Sequence, residues 1–198
     1  MQVGTPLTGS VLETLDEIGS STTTGVIVVC GFPASGKSTA AAYLANMLDA
    51  VVLDKDGFAP KLEQSVMGEL AGNPYDRDSA TYRKIVGPYI YEALVRNALM
   101  FGRRQPVILD APFIEYVKHA SKQSISLSEY IRGMSDDPVN VKTVWISSSS
   151  EEIRSRMISR RAERDAPKLA DWEGYRSTVL DSGVSGDAKL VADVFVYN

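Results

Sequence analysis

One cysteine and one histidine in 198 residues remove whole classes of chemistry. A disulfide framework needs a second thiol, and a histidine-based triad or multi-histidine metal site has nothing beyond His119 to draw on. Cys30 sits inside an apolar run, where it reads as a small core residue, and a lone thiol suits a reducing cytoplasm. Long hydrophobic stretches are also missing. No run approaches about 18 uninterrupted apolar residues, and no basic segment followed by an apolar one opens the sequence, so neither membrane spanning nor export is predicted. Positive charge is in deficit as well: 21 Lys and Arg against 25 Asp and Glu give a net charge of −4. The resulting pI near 5.1 argues against a general nucleic-acid binder, whose affinity rests on cations that neutralise phosphates, and favours a small-molecule partner. A chain of this length can bury about 70% of its unfolded surface as one domain.

What is present is concentrated in one octapeptide. Gly31-Phe-Pro-Ala-Ser-Gly-Lys-Ser38 matches the pattern G-x-x-x-x-G-K-[ST] in full and follows the apolar run Gly25-Val-Ile-Val-Val-Cys30. Glycines let successive backbone N–H groups point into a concavity that holds nucleotide phosphates, while the lysine reaches the β and γ phosphates and the hydroxyl goes to Mg²⁺. The predicted nucleotide set is therefore Gly31, Ala34, Ser35, Gly36, Lys37, Ser38 and Thr39, with ATP and Mg²⁺ as ligands. The helix-favouring stretch from Ser38 to Leu48 completes the strand, loop, helix order that the motif requires.

From Val26 onward, short apolar runs alternate with helical stretches. Strands are predicted at Val26–Cys30, Ala50–Leu53, Pro106–Leu109, Val139–Ser147 and Ala192–Tyr197. Strands separated by helices imply crossover connections and a mainly parallel α/β sheet covered on both faces. Residues 1–24 read as a partly mobile N-terminal extension with a short helix through Val11–Ile18, and residues 25–198 as the domain itself. The long 57–105 connection should hold a helical segment broken or kinked at Gly87-Pro88, with Tyr82, Tyr89 and Tyr91 as packing residues. In Ser147-Ser-Ser-Ser150, Ser148 or Ser149 with Glu151 or Glu152 makes a capping box that starts another helix.

Three further groups carry chemistry. Leu53-Asp-Lys-Asp-Gly57 ends the second strand with two carboxylates at the sheet edge where open α/β sheets bind ligands. Asp56 is the candidate base, able to orient a hydroxyl and take its proton. Asp54 is a candidate substrate contact, and both acids equally suit capping the next helix. Asp110 ends the third strand and is a candidate to hold Mg²⁺ through water, provided that strand lies beside the first. Arg156, Arg160 and Arg164 recur at i, i+4 and i+8, predicting an arginine stripe on one helix face in a lid over residues 150–175. Like charges at that spacing repel and invite an anion, so Arg156 and Arg160 are assigned to catalysis, and Arg160 and Arg164 to nucleotide phosphates. Lys55, Lys61, Arg77 and Arg83 are each able to touch an anionic substrate, and Lys61 and Arg83 are taken as the candidate acceptor contacts.

The phosphate loop, the Asp-x-Asp strand end, the third-strand acid and the late arginine segment, in this order across residues 25–180, make the chain similar to the P-loop small-molecule kinases. It most resembles the AAA-family ATP-binding group that includes relatives of polynucleotide kinase, zeta toxin and chloramphenicol phosphotransferase. Leu53-Asp-Lys-Asp-Gly-Phe-Ala-Pro60 with Gly72-Asn-Pro-Tyr-Asp-Arg-Asp78 also looks similar to the substrate region of gluconate-type kinases. The resemblance implies a three-layer P-loop NTPase fold with strand order 2-3-1-4-5 and an arginine lid. It also implies transfer of the γ-phosphoryl group of ATP to a hydroxyl of a metabolite, nucleoside, sugar or antibiotic. A polynucleotide 5′-hydroxyl kinase, a nucleotide-sugar kinase of the zeta-toxin kind and an ATP-switched regulatory module stay open as alternatives.

Overall fold

A computed structural model of the chain describes residues 6–77 and 79–198. In chain order the elements are α1 (Gly9–Ser20), β1 (Gly25–Cys30), α2 (Lys37–Leu48), β2 (Val51–Asp54), α3 (Lys55–Phe58) and α4 (Pro60–Ala71). A π-helical turn over Tyr82–Val86 then runs into α5 (Gly87–Gly102), followed by β3 (Pro106–Asp110), α6 (Ile114–Gln123), α7 (Leu127–Arg132) and β4 (Val141–Ser147). The last part holds α8 (Ser150–Arg160), a 3-10 turn over Glu163–Asp165, α9 (Ala166–Ala170), α10 (Trp172–Tyr175), a π turn over Arg176–Leu180, α11 (Val184–Val191) and β5 (Val194–Tyr197).

The five strands form one sheet in the order β2-β3-β1-β4-β5, and every pairing is parallel. This is the P-loop NTPase arrangement expected from the sequence. β1 lies in the centre and is buried along its whole length, which is why its sequence is continuously apolar rather than alternating. Its side chains still divide by face. Val26, Val28 and Cys30 enter a core with α5, α6, α7, α8 and α11, whereas Ile27 and Val29 enter a second core with α1 and α2. Each such side chain contributes roughly 1.5–3 kcal/mol by leaving water.

α1 differs from the mobile extension expected of residues 1–24. Val11, Leu15 and Ile18 recur at helical spacing and are fully buried against Ile27, Val29 and the alanines of α2. The Tyr43 hydroxyl donates to Asp16 at 2.5 Å, joining α1 to α2. The apolar stripe of α1 is what closes the second core, so this segment is a packed layer of the domain.

The 57–105 connection contributes α5 to the first core, where Leu94, Val95, Ala98 and Leu99 pack with Val26, Val28, Val107 and Leu109 of the sheet. α4 stops at Gly72, whose φ of +66° suits glycine, and Pro88 lies in the first turn of α5, where no backbone donor is needed. The break expected at Gly87-Pro88 is therefore a change of helical pitch, from π to α, rather than a loop. Tyr82 and Tyr91 pack inward, but Tyr89 is exposed. Asp78 of the Gly72–Asp78 segment lies outside the described residues. No helix among the described residues is long and apolar enough to cross a membrane.

Candidate functional site

The loop between β1 and α2 adopts the conformation its glycines allow. Gly31 has φ +140°, and a Cβ there would meet the Ile146 carbonyl oxygen at 2.3 Å and Ser35 Oγ at 3.0 Å, so only glycine fits. Gly36 has φ +110°, and a Cβ there would meet Asn198 Nδ2 at 2.6 Å. Ala34 also lies in the left-handed region, at φ +63°. The resulting turn delivers α2 with its N-terminus facing the loop, and Ser35 Oγ is buried there with no hydrogen-bond partner. An orphan hydroxyl beside a helix N-terminus fits a phosphate oxygen. Lys37 is buried and folded back, its Nζ donating to the Phe32 carbonyl at 2.8 Å. Burial pushes its pKa below the usual lysine value; the charges of Asp110 and Asp56 partly oppose this, and that of Arg160 adds to it. Thr39 follows in the first turn of α2, half-buried.

β3 lies beside β1, with Val29 opposite Asp110, so the condition set for Asp110 is met. The carboxyl group is buried, receives a hydrogen bond from Ser38 and faces Lys37. Burial raises its pKa above the usual carboxylate range, held back by Lys37 and the Ser38 bond, and pushed further by Asp54 and Asp56. Among the described residues no group of three or more His, Cys, Asp or Glu side chains is placed to hold a metal alone. The Ser38 hydroxyl and the Asp110 carboxylate nevertheless suit Mg²⁺, which keeps several waters and takes its remaining ligands from substrate phosphates.

Asp54 and Asp56 divide the two roles open to them. Asp54 caps α3, accepting from the Asp56 N–H at 3.2 Å and the Gly57 N–H at 2.9 Å. Asp56 turns its carboxylate outward, where it takes a salt bridge from Arg164 and lies 3.5 Å from Lys55 Nζ. Lys55 is itself buried and reaches Glu63 at 3.2 Å. Glu63 is only 1% exposed and also receives Arg77 at 2.6 Å and the Tyr82 hydroxyl at 2.9 Å. This buried knot joins α3, α4 and the π turn beneath Asp56. Its sequence signal was faint: a lysine between two acids, and one glutamate on the apolar face of α4.

The arginine stripe is corrected by the structure. Arg161 enters the left-handed region at φ +50° and ends α8, so Arg164 comes from the following 3-10 turn instead of the same helix face. Arg160 is held by Asp165 through Nε at 2.5 Å and Nη2 at 2.7 Å, and Asp165 is fully buried. Arg164 meets Asp56. Arg156 does not face the phosphate concavity. It bonds the Ala34 and Ser35 carbonyls at 3.4 and 3.3 Å, Ser148 Oγ at 2.7 Å and the Asn198 main-chain oxygen at 3.1 Å. The Ser35 carbonyl also accepts from Asn198 Nδ2 at 3.1 Å, and Ser148 Oγ stands 3.1 Å away. Arg156, Ser148 and Asn198 thus clamp the back of the loop, because carbonyls turned away from phosphates must find donors elsewhere. Sequence reasoning considered Ser148 only as a helix cap and did not name Asn198, since nothing local links either to residue 35. The expected capping box is present as Ser149 with Glu152.

Lys61 and Arg83 are both exposed. Lys61 lies across α4 from the inward Glu63–Met67 stripe. Neither is brought to Asp56 in the way Lys55 is.

A family model described as an AAA domain matches residues 26–179. No curated protein matches significantly. Among solved structures, a sugar kinase from Janibacter sp. HTCC2649 has a TM-score of 0.52 at 18% identity, covering 88% of this chain and 84% of its own. A candidate kinase from Chloroflexus aurantiacus J-10-fl has a TM-score of 0.48 at 22% identity over 72% of this chain and 68% of its own. TT1252 from Thermus thermophilus has a TM-score of 0.47 at 20% identity over 89% and 90%. At 18% identity the likeness to the Janibacter sugar kinase is one of fold.

Proposed function

Because the chain belongs to the AAA domain family, we propose that its P-loop serves an ATP- and Mg²⁺-dependent kinase that phosphorylates a hydroxyl group of a small molecule. The observation that carries this reading is the meeting of two halves at one sheet edge. In this reading Lys37 and Ser38, at the start of α2, and Asp110, at the end of β3, make up a donor half, and Asp56, in α3 just after β2, is near enough for its charge to act on both Lys37 and Asp110. A switch or motor needs the first half alone; an acid placed to meet an incoming hydroxyl is what transfer to an alcohol adds. The fold shared with a solved sugar kinase is in keeping with it.

In this reading the backbone donors at the N-terminus of α2 and the buried Ser35 hydroxyl hold the phosphates. Lys37 must leave the Phe32 carbonyl to meet the transferring group. Arg160, oriented by Asp165, adds a second positive charge on the Lys37 side. Ser38 and water on Asp110 would hold Mg²⁺, which supplies charge neutralisation at the phosphate oxygens. Asp56 accepts a hydrogen bond from the acceptor hydroxyl, aligns its oxygen with the γ phosphorus and takes the proton as the new O–P bond forms and the bond to the β-phosphate oxygen breaks.

The test is phosphotransfer from ATP over a panel of sugars, nucleosides, aminoglycosides, amphenicols and 5′-hydroxyl oligonucleotides, with Lys37→Ala as control. Transfer to an acceptor that vanishes in the control supports the reading. ATP turnover that no acceptor stimulates sinks it.

A further inference from the structure

Asn198 follows β5 and is 5% exposed, and both ends of its side-chain amide are committed to distant parts of the chain. Nδ2 donates to the Ser35 carbonyl of the phosphate loop at 3.1 Å, and Oδ1 accepts from the N–H of Thr8, the N-cap of α1, at 2.9 Å. The main chain is tied as firmly. Its N–H donates to the Ser147 carbonyl at 2.7 Å, and its oxygen receives Ser148 Oγ at 2.7 Å and Arg156 Nη2 at 3.1 Å. A carbonyl only accepts and an N–H only donates, so these partners fix which end of the amide faces the loop. Aspartate has the same shape but offers the loop an acceptor in place of a donor.

The anchored carbonyl sets the next peptide group. No peptide bond among the described residues is cis, and in a planar trans peptide the N–H points opposite to the C=O. With the Ser35 carbonyl turned toward Asn198, Ser148 and Arg156, the Gly36 N–H is aimed away from them. Gly36 is the N-cap of α2, and a Cβ there would meet Asn198 Nδ2 at 2.6 Å and Leu7 Cδ2 at 3.6 Å. The amide and Leu7 therefore pack directly behind the turn that launches Lys37 and Ser38. Thr8 completes the arrangement, its hydroxyl donating to the Tyr197 carbonyl at 3.1 Å.

Resting on the reading that this loop holds nucleotide phosphates, we propose that Asn198 is a positioning residue for nucleotide binding and that it makes the start of α1 part of the site. The amide holds the Ser35–Gly36 peptide with its N–H presented to a phosphate oxygen, and Thr8 holds the amide in the orientation that does so. Both act through the loop and not on the ligand.

The probe is MgATP, titrated by calorimetry against the full chain, with a thermal melt of each protein without nucleotide. Asn198→Asp should weaken MgATP binding by at least about tenfold, because a donor is lost and an acceptor is set against a carbonyl. Thr8 supplies a second test at an exposed position. Its φ of −69° already suits proline, so Thr8→Pro deletes the N–H without changing that angle, while Thr8→Ala keeps the N–H and loses the same hydroxyl. The proline variant should bind MgATP about threefold or more weakly than the alanine variant. If Asn198→Asp does not fold, the Thr8 pair decides. A lowered melting temperature in Asn198→Asp with MgATP affinity within about twofold of wild type makes Asn198 a folding residue only and overturns the proposal. Equal affinity in the two Thr8 variants overturns it as well. A wild type that binds no MgATP overturns the nucleotide reading itself.

Discussion

Arg164 donates to the carboxylate of Asp56 across 108 residues of sequence, so the segment after α8 and the edge of β2 touch through one ion pair. Both side chains are about half exposed, at 55% and 50%. Such a pair adds little to folding, since water and salt screen it and two long side chains lose freedom to form it. Its consequence is positional. In the kinase reading proposed above, a hydroxyl that reaches Asp56 shares or displaces the Arg164 guanidinium.

Arg164→Ala should leave the melting temperature within about 2 °C of wild type, as expected for an exposed pair. Transfer should fall about tenfold or more through loss of charge stabilisation in the closed site. Arg164→Lys should restore it only in part, because a lysine cannot make the forked contact. A thermal melt and steady-state kinetics on the same preparations check both halves.

Asp56→Asn keeps the shape of the site and removes the proton acceptor. Transfer should drop by at least about 100-fold, within the usual range for a general base. Nucleotide affinity, measured by titration with a fluorescent ATP analogue, should hardly change. Near-normal turnover in this variant would rule Asp56 out as the base.

Arg156→Ala should behave in the opposite way. It strips the Arg156 donor from the Ala34 carbonyl and one of three donors from the Ser35 carbonyl, and a buried acceptor left unsatisfied costs about 1–3 kcal/mol. The melting temperature should fall and KM for ATP should rise, with KM for the acceptor unchanged. A rise in acceptor KM alone would place Arg156 in the lid after all.

Glu63→Gln leaves Lys55 and Arg77 without their shared counter-charge, and breaking a buried ion pair costs about 3–5 kcal/mol. Urea unfolding should show a loss of unfolding free energy of that size. A loss below about 1 kcal/mol would mean that the knot is more hydrated than its burial indicates.

Lys37 gives a pH signature. Its pKa in the fold lies below the ordinary lysine value of 10.5 because burial disfavours the charged form. Between those two values the unfolded chain binds more protons than the folded one, so stability is lost as the pH falls. Lys37→Met lacks this group. The stability of wild type relative to Lys37→Met should therefore decline as pH is lowered from about 10.5 toward neutrality, and a flat difference in chemical-denaturation curves over that range would contradict it.

The residues that read most clearly from sequence act through local backbone geometry. Gly31 and Gly36 are fixed by the positive φ angles of one turn, Ser149 and Glu152 cap a helix three residues apart, and β1 is apolar throughout because it is central. The alternation of apolar runs and helices was enough to place all five strands within two residues and to imply a parallel sheet. The resemblance then gave the order β2-β3-β1-β4-β5. Other residues were legible only as alternatives. Asp54 and Asp56 are two positions apart and chemically identical; which one capped α3 and which one stayed available depended on how the chain turned after β2.

Local spacing misled where a helix ended early. The i, i+4, i+8 pattern of Arg156, Arg160 and Arg164 assumed one continuous helix, but Asp165 folds back onto Arg160 and the chain turns at Arg161. Three arginines of one stripe thus acquire different neighbours: loop carbonyls, a buried aspartate and the acceptor-side acid. In the same way, nothing near Val11 in sequence says that α1 will meet Ile27 and Val29.

The sequence alone determined the phosphate loop, the strand and helix pattern and the presence of acids at two strand ends, because each follows from torsion angles, periodicity or a motif spanning eight residues. Only the tertiary structure decided that Asp110 stands beside Lys37, that Asp56 is the outward acid, that Glu63 ties Lys55 and Arg77, and that Arg156 belongs behind the loop. These depend on groups far apart in the chain competing for the same few buried donors and charges, and that competition is settled only when the layers pack.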